Sequence, residues 1–214
     1  FKRKSGLDLT TGSIFKKLII FAFPLMCTGI LQLLFHSADI AVLKAMVNQQ
    51  AVAAVGATSV LINLFINFSN GFSIGASILL SKSVGAKDSE KAKRIVGTAI
   101  LLSLISGIVI MVIGLIFSKT FLVWIDCPDE LINQANIYLQ IYFVGMPIIL
   151  FYNFSAGLLR AVGDSVRPLI YLICASFVNI GLNVFLIAVF NMTVEGVAIG
   201  TVGSKLVASI LVFR

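Results

Sequence analysis

The sequence predicts an all-α fold, a polytopic membrane bundle of six transmembrane helices, and three observations carry that expectation. Hydrophobic residues make up 59% of the 214 residues and charged residues 12%, where soluble domains carry about a quarter charged; the mean hydropathy is +1.06. Six apolar runs are each long enough to cross about 30 Å of hydrocarbon at a rise of about 1.5 Å per residue. Short polar segments separate them: VNQQ, GAKDSEKAKR, DCPDE, GDSVRP and FNMT.

The spans fall near 14–43, 50–80, 92–117, 132–158, 167–190 and 194–213, after a cytoplasmic N-terminal segment over 1–13. The first run is too long for a signal-peptide core and no small-residue cleavage site follows it, so it reads as a span. Lys and Arg alternate sharply between the loops. The N-terminal region, the second loop and the fourth loop hold Lys2, Arg3, Lys4, Lys16, Lys17, Lys82, Lys87, Lys91, Lys93, Arg94, Arg160 and Arg167, while the alternate loops hold only Lys44 and Lys119. Because loops rich in Lys and Arg stay in the cytoplasm, both termini of this unit are expected there, in a multi-pass protein of the plasma membrane. The chain stops at LVFR without a further loop and starts at Phe1 rather than Met. Both ends read as cut from a longer membrane protein.

Several function classes drop out. The net charge of +7 comes from short basic clusters between apolar runs, without the aromatic-interleaved patch of a nucleic-acid binder. No GxxxxGK[ST] sequence is present to cradle nucleotide phosphates. Cys27, Cys127 and Cys174 are scattered without a CxxC pair and His36 is the only histidine, so neither a zinc or haem site nor a bound cofactor is expected.

Within the spans, polar residues recur at helical spacing. On the first helix Thr28, Gln32, His36 and Asp39 share one face, and on the second Ser59, Asn63, Asn67, Asn70, Ser73 and Ser77 do the same. The fourth carries Asn153, the fifth Ser176, Asn179 and Asn183, and the sixth Thr201, Ser204 and Lys205. Such faces are penalised by lipid and accepted by a wet or polar bundle interior. Interhelical hydrogen bonding, at about 0.6 kcal/mol per contact, is the structural reading of the asparagines. Asp39 is different, since an ionised carboxylate at the centre of a span costs roughly 2.5–3.5 kcal/mol and structural glue does not require one. It marks a functional position, with His36 or Lys205 as a partner in the structural alternative. Gln32, His36, Asn63, Asn67, Asn153 and Lys205 are the candidate cavity-lining residues. Gly71 and Gly75, and Gly196, Gly200 and Gly203, would allow close helix approach. Pro24 and Pro147 interrupt the first and fourth spans, each removing a backbone hydrogen bond and favouring a kink.

The segment LLRAVGDSVRPL, Leu158 to Leu169, resembles the LRAxGDxxxP signature of the multidrug and toxic compound extrusion (MATE) family. Other pieces agree in order and spacing: ADIAVL, AVAAVGATS, GFSIGASILLSKSVGAKD, NIGLN and EGVAIGTVGSK. The resemblance implies one lobe, the N-terminal one, of a twelve-helix transporter whose second six-helix lobe is missing from this sequence. It further implies a secondary active antiporter that exports cationic or amphipathic compounds in exchange for H⁺ or Na⁺. Asp39 corresponds to an acid that many members carry in the N-lobe cavity, and Asn179 and Thr201 to residues that complete an ion site with it in some. Asn183 stands where many of those members have a second aspartate, which isolates Asp39 as the coupling acid. Lys44 and Lys205 are further departures; Lys205 would either neutralise Asp39 or snorkel to an interface.

Two couplings remain open at this level. Burial disfavours a charged carboxylate and a nearby cation favours it, so an acid in a cavity that opens to alternate sides would take up and release a proton with conformation. Alternatively, the oxygens of Asp39, Asn179, Asn183 and Thr201 would hold a hard cation such as Na⁺. Three rival functions also stand: a flippase for lipid-linked oligosaccharides, which would need a cavity ringed by Arg and Lys; a structural membrane subunit; and an intramembrane enzyme using His36 and Asp39 as an acid/base pair.

Overall fold

The structure, a computed structural model, describes residues 13–213. The segment expected before the first span, with Lys2, Arg3 and Lys4, lies outside the described residues apart from Ser13, as does Arg214. Seven helices follow in order: α1 Ile14–Met46, α2 Gln49–Gly85, α3 Ser89–Trp124, α4 Asp129–Val144, α5 Met146–Ala161, α6 Val166–Phe190 and α7 Val194–Phe213. No strand occurs among the described residues. Five helices are long and apolar enough to cross a membrane singly, and α4 with α5 form a sixth crossing bent by 53°. The protein is an all-α integral membrane bundle.

The helices run past the apolar cores from which the spans were read, and polar side chains in the loops cap the starts of α2 and α3. Asn48 accepts from the Ala51 N–H at 2.8 Å and so starts α2; Asp88 does the same for α3 with the Lys91 N–H at 3.0 Å. Side-chain oxygens at this position satisfy backbone donors that have no partner inside the helix. The signature segment has a comparable local logic. Gly163, at φ 86°, ends α5 in the left-handed region that glycine adopts without penalty. Its N–H bonds the Arg160 carbonyl and the Asp164 N–H the Leu159 carbonyl, both at 3.0 Å, the paired bonds of a Schellman stop. Asp164 then accepts from the Arg167 N–H at 3.1 Å and pairs with its guanidinium at 3.1 Å, opening α6.

The two prolines behave differently. The fourth crossing breaks at Gly145, between α4 and α5, two residues before Pro147, whose missing N–H cannot bond the preceding turn. The helix α1 instead continues unbroken through Pro24, where the Thr28 hydroxyl donates to the Pro24 carbonyl at 2.8 Å. The carbonyl that loses its partner at Pro24 is that of Ile20, one turn earlier, so the Thr28 hydroxyl bonds back to its own helix without replacing the lost bond.

Packing then creates the space that matters. The helix α1 packs mainly along α6, while α2 packs on α3 and α5, and α1 and α2 touch sparingly. The densest apolar core, with Leu43, Ala51, Val55, Leu139, Phe143, Val194 and Val197, gathers at the end that carries loops 47–48, 125–128 and 191–193. Below it, between α1 and α2, the bundle stays open. The outer surfaces present large apolar side chains such as Phe15, Leu33, Phe68, Ile116 and Phe177, a surface suited to lipid. Gly71 and Gly75 of α2 face open space, whereas Gly200 of α7 lies directly against Asn183 of α6, and Gly107 of α3 lies against the Pro147 backbone of α5.

Candidate functional site

A cavity of about 870 Å³ lies between α1 and α2, with α4, α5 and α7 forming its back wall. All six residues expected to line it do so: Gln32, His36, Asn63, Asn67, Asn153 and Lys205. The polar stripe of α2 runs down one wall, from Ser59 through Asn70, Ser73 and Ser77 to Ser81. Gln32, His36, Asn63 and Asn67 are exposed, so their amide and imidazole groups are left to water or to a bound compound.

At the closed end, under the apolar core, Asp39 is 3% exposed. Its side chain is reached from two other helices. The Asn183 amide donates to Oδ1 at 2.6 Å and the Thr201 hydroxyl to Oδ2 at 3.0 Å. Asn179 stands behind them, 3.4 Å from Thr201 Oγ1 and 3.5 Å from the Asn183 amide nitrogen. Both asparagines are fully buried. The residues assigned to ion coupling thus meet in one cluster, although Asp39 and Thr201 are 162 positions apart. The α6–α7 approach makes this possible, since a side chain at Gly200 would occupy the space of Asn183 Oδ1.

Two features of the cluster bear on chemistry. Thr201 has one hydroxyl proton and two acceptors, Asp39 Oδ2 at 3.0 Å and the Val197 carbonyl at 2.9 Å, so it can give its proton to the helix when the carboxylate is protonated or cation-bound. Asn183 Oδ1 is buried without a hydrogen-bond donor among the described residues. An oxygen left unpaired in a buried site is costly; this one is turned toward Gly200 while the amide nitrogen faces the carboxylate. His36 makes no hydrogen bond to Asp39, and among the described residues no group of three or more His, Cys, Asp and Glu side chains could hold a metal ion.

Lys205 feels the charge of Asp39 without touching it. Its ammonium does not pair with Asp39; it stands over the Phe35 ring at 5.0 Å and the Tyr152 ring at 5.2 Å from the centroids, within reach of cation–π attraction.

The sequence matches a known family. Its sequence model, MatE, matches residues 24–185. The chain belongs to the MatE family. It is 30% identical over 202 residues to the probable multidrug resistance protein YoeA of Bacillus subtilis (strain 168), covering 94% of this chain and 43% of that protein. It is 27% identical to the multidrug export protein MepA of Staphylococcus haemolyticus, covering 92% of this chain and 44% of that one. An outward-facing multidrug resistance MATE family transporter of the MOP superfamily superposes with a TM-score of 0.88 at 27% identity, over 99% of this chain and 47% of that structure. The chain therefore spans about half the length of the relatives it matches, and the resemblance read from LLRAVGDSVRPL is borne out.

Sequence reasoning on this MatE chain missed part of its cavity wall. Tyr138 and Tyr142 of α4 line it beside Asp39, and Arg160 and Lys82 line it near the opposite helix ends. The tyrosines carried no signal, because nothing in DELINQANIYLQIYFV distinguishes a cavity face from a core face. The two cations were read with loops, since the hydropathic core of each span ends before the helix does.

Proposed function

We propose that this chain is the N-terminal lobe of a secondary active antiporter that exports cationic or amphipathic compounds in exchange for H⁺ or Na⁺ by alternating access, with Asp39 as its coupling acid. The observation that carries the reading is the position of Asp39, buried at the closed end of a cavity and tied to two other helices through Asn183 and Thr201. A group that joins three helices can report its ionisation to their packing. When H⁺ or Na⁺ neutralises the carboxylate, its hold on the Thr201 hydroxyl weakens and that proton returns to the Val197 carbonyl. The balance between two arrangements of α1 against α6 and α7 shifts by that difference. The membrane potential adds about 2.3 kcal/mol per charge moved across 100 mV.

In the orientation set by the basic residues, with both termini cytoplasmic, the loops beside the Asp39 end face outward. The second six-helix lobe closes the open side of the cavity between α1 and α2. The names of YoeA and MepA support drug export over the flipping of lipid-linked oligosaccharides. The missing contact between His36 and Asp39 weighs against an acid/base pair and hence against an intramembrane enzyme.

The test is ion-driven efflux of a fluorescent amphipathic compound by the full-length protein and its Asp39→Asn variant, at matched expression and folding. Loss of efflux in the variant is expected; equal activity would remove Asp39 from the coupling role.

A further inference from the structure

The coupling cycle gives no task to Lys205, yet the register of α1 against α7 places it beside the coupling acid. Asp39 meets Thr201 and, one turn along the antiparallel pair, Phe35 meets Lys205. The level of the ammonium thus differs from that of the carboxylate by one helical turn, about 5.4 Å of rise. Both side chains line the same cavity, where Asp39 is the only carboxylate among the described residues. Lys205 is partly buried and rests on the Phe35 and Tyr152 rings without an ion-pair partner. That resting place is fixed. Phe35 and Tyr152 belong to one buried apolar cluster with Leu172 and Ala208, and the Tyr152 hydroxyl donates to the Pro168 carbonyl at 3.2 Å, which ties the ring to α6.

The carboxylate has capacity left for a further donor. Each of its oxygens accepts from one side chain, Asn183 at Oδ1 and Thr201 at Oδ2, and a carboxylate oxygen can accept more than one bond. An ammonium on a flexible four-carbon stem therefore has two stations within reach, the aromatic pair and Asp39. We propose that Lys205 is a tethered competitor for the coupling ion: it rests on Phe35 and Tyr152 while H⁺ or Na⁺ neutralises Asp39, and moves onto the carboxylate when that ion leaves. This deepens the coupling role proposed for Asp39 and rests on it. A buried carboxylate without a counter-charge is unfavourable, and Lys205 supplies one at the step where the ion has gone. Paired, the two charges cancel, so the closed end of the cavity does not repel a cationic compound. Because the next ion must displace the ammonium, Lys205 sets how much H⁺ or Na⁺ is needed to load Asp39.

A side chain that only fills space would leave the ion dependence of transport unchanged. Ethidium export by the full-length protein in proteoliposomes is measured against the concentration of the driving ion, in one series Na⁺ at constant pH and in the other H⁺ in Na⁺-free buffer. Besides Asp39 and Lys205, the titratable or charged groups lining the cavity are His36, Lys82, Tyr138, Tyr142 and Arg160, with Tyr152 under the ammonium; all are kept in the variants. Loss of one charge-assisted contact corresponds to about a tenfold change in affinity. Lys205→Gln is expected to lower the half-maximal concentration of the driving ion about tenfold, and Lys205→Arg to leave it near the wild-type value. An unchanged value in Lys205→Gln overturns the proposal, as does an equal shift in both variants. Export by neither ion would remove the antiport reading, and thermal unfolding of the purified proteins then still tests the pair. Asp39→Asn, which strips Lys205 of its counter-charge, is expected to lower the Tm, and adding Lys205→Gln to recover part of the loss. A double variant no more stable than Asp39→Asn alone overturns the pairing of Lys205 with Asp39.

Discussion

The asparagines of α2 and those of α6 are the same side chains at similar helical spacing, yet they reach opposite solutions. Asn63 and Asn67 are exposed to the cavity and make no hydrogen bond among the described residues. Asn179 and Asn183 are fully buried and hydrogen-bonded to Asp39, Thr201 and each other. The difference lies in what faces them. The helix α2 looks across an open space, while α6 meets α7 at Gly200, where the absent side chain lets Asn183 reach inward. Polarity in a span thus has two meanings, a wetted wall or a stitched junction, and the partner helix decides between them.

That contrast can be broken by substitution in graded steps, each read by thermal unfolding of the purified full-length protein. Asn183→Leu removes the donor 2.6 Å from Asp39 and is expected to cost about 1–3 kcal/mol, the penalty for leaving a buried polar group unmatched. The cost should shrink in an Asp39→Asn background, because the two residues act through one contact. Gly200→Val drives a side chain into the place of Asn183 Oδ1; overpacking of this kind costs typically 1–3 kcal/mol, with coupled transport falling in parallel. Thr201→Val keeps the shape and loses the hydroxyl that serves Asp39, for about 1 kcal/mol. Asn63→Leu and Asn67→Leu should change stability by less than about 0.5 kcal/mol while altering which compounds bind. If Asn63→Leu proved as costly as Asn183→Leu, the distinction between wall and junction would be wrong.

The same contrast explains how much was legible in the sequence. The apolar runs and polar punctuation specified the crossings, and a spacing of three and four placed Gln32, His36 and Asp39 on one face, because a single helix imposes both patterns. Periodicity could not say that Asn183 and Thr201 would close on Asp39, since that depends on three helices far apart in the chain; the family resemblance supplied the grouping. Neither route showed that Lys205 would rest on Phe35 and Tyr152 rather than on Asp39, or that Arg160 would turn into the cavity. Long cationic side chains reach several ångströms from their backbone, and their direction is set by neighbours that a one-dimensional pattern does not contain. Pro147 pointed to the break in the fourth crossing. Pro24 carried the same signal in a helix that stays continuous.

The central claim is that Asp39 couples ion movement to transport without being required for the cavity to bind its compound. Proteoliposomes holding the full-length Asp39→Asn variant test it most directly, by comparing uphill, ion-driven accumulation of a dye with its gradient-free exchange across the same membrane. The account predicts that uphill accumulation disappears while exchange continues. Uphill accumulation at the wild-type level would contradict it.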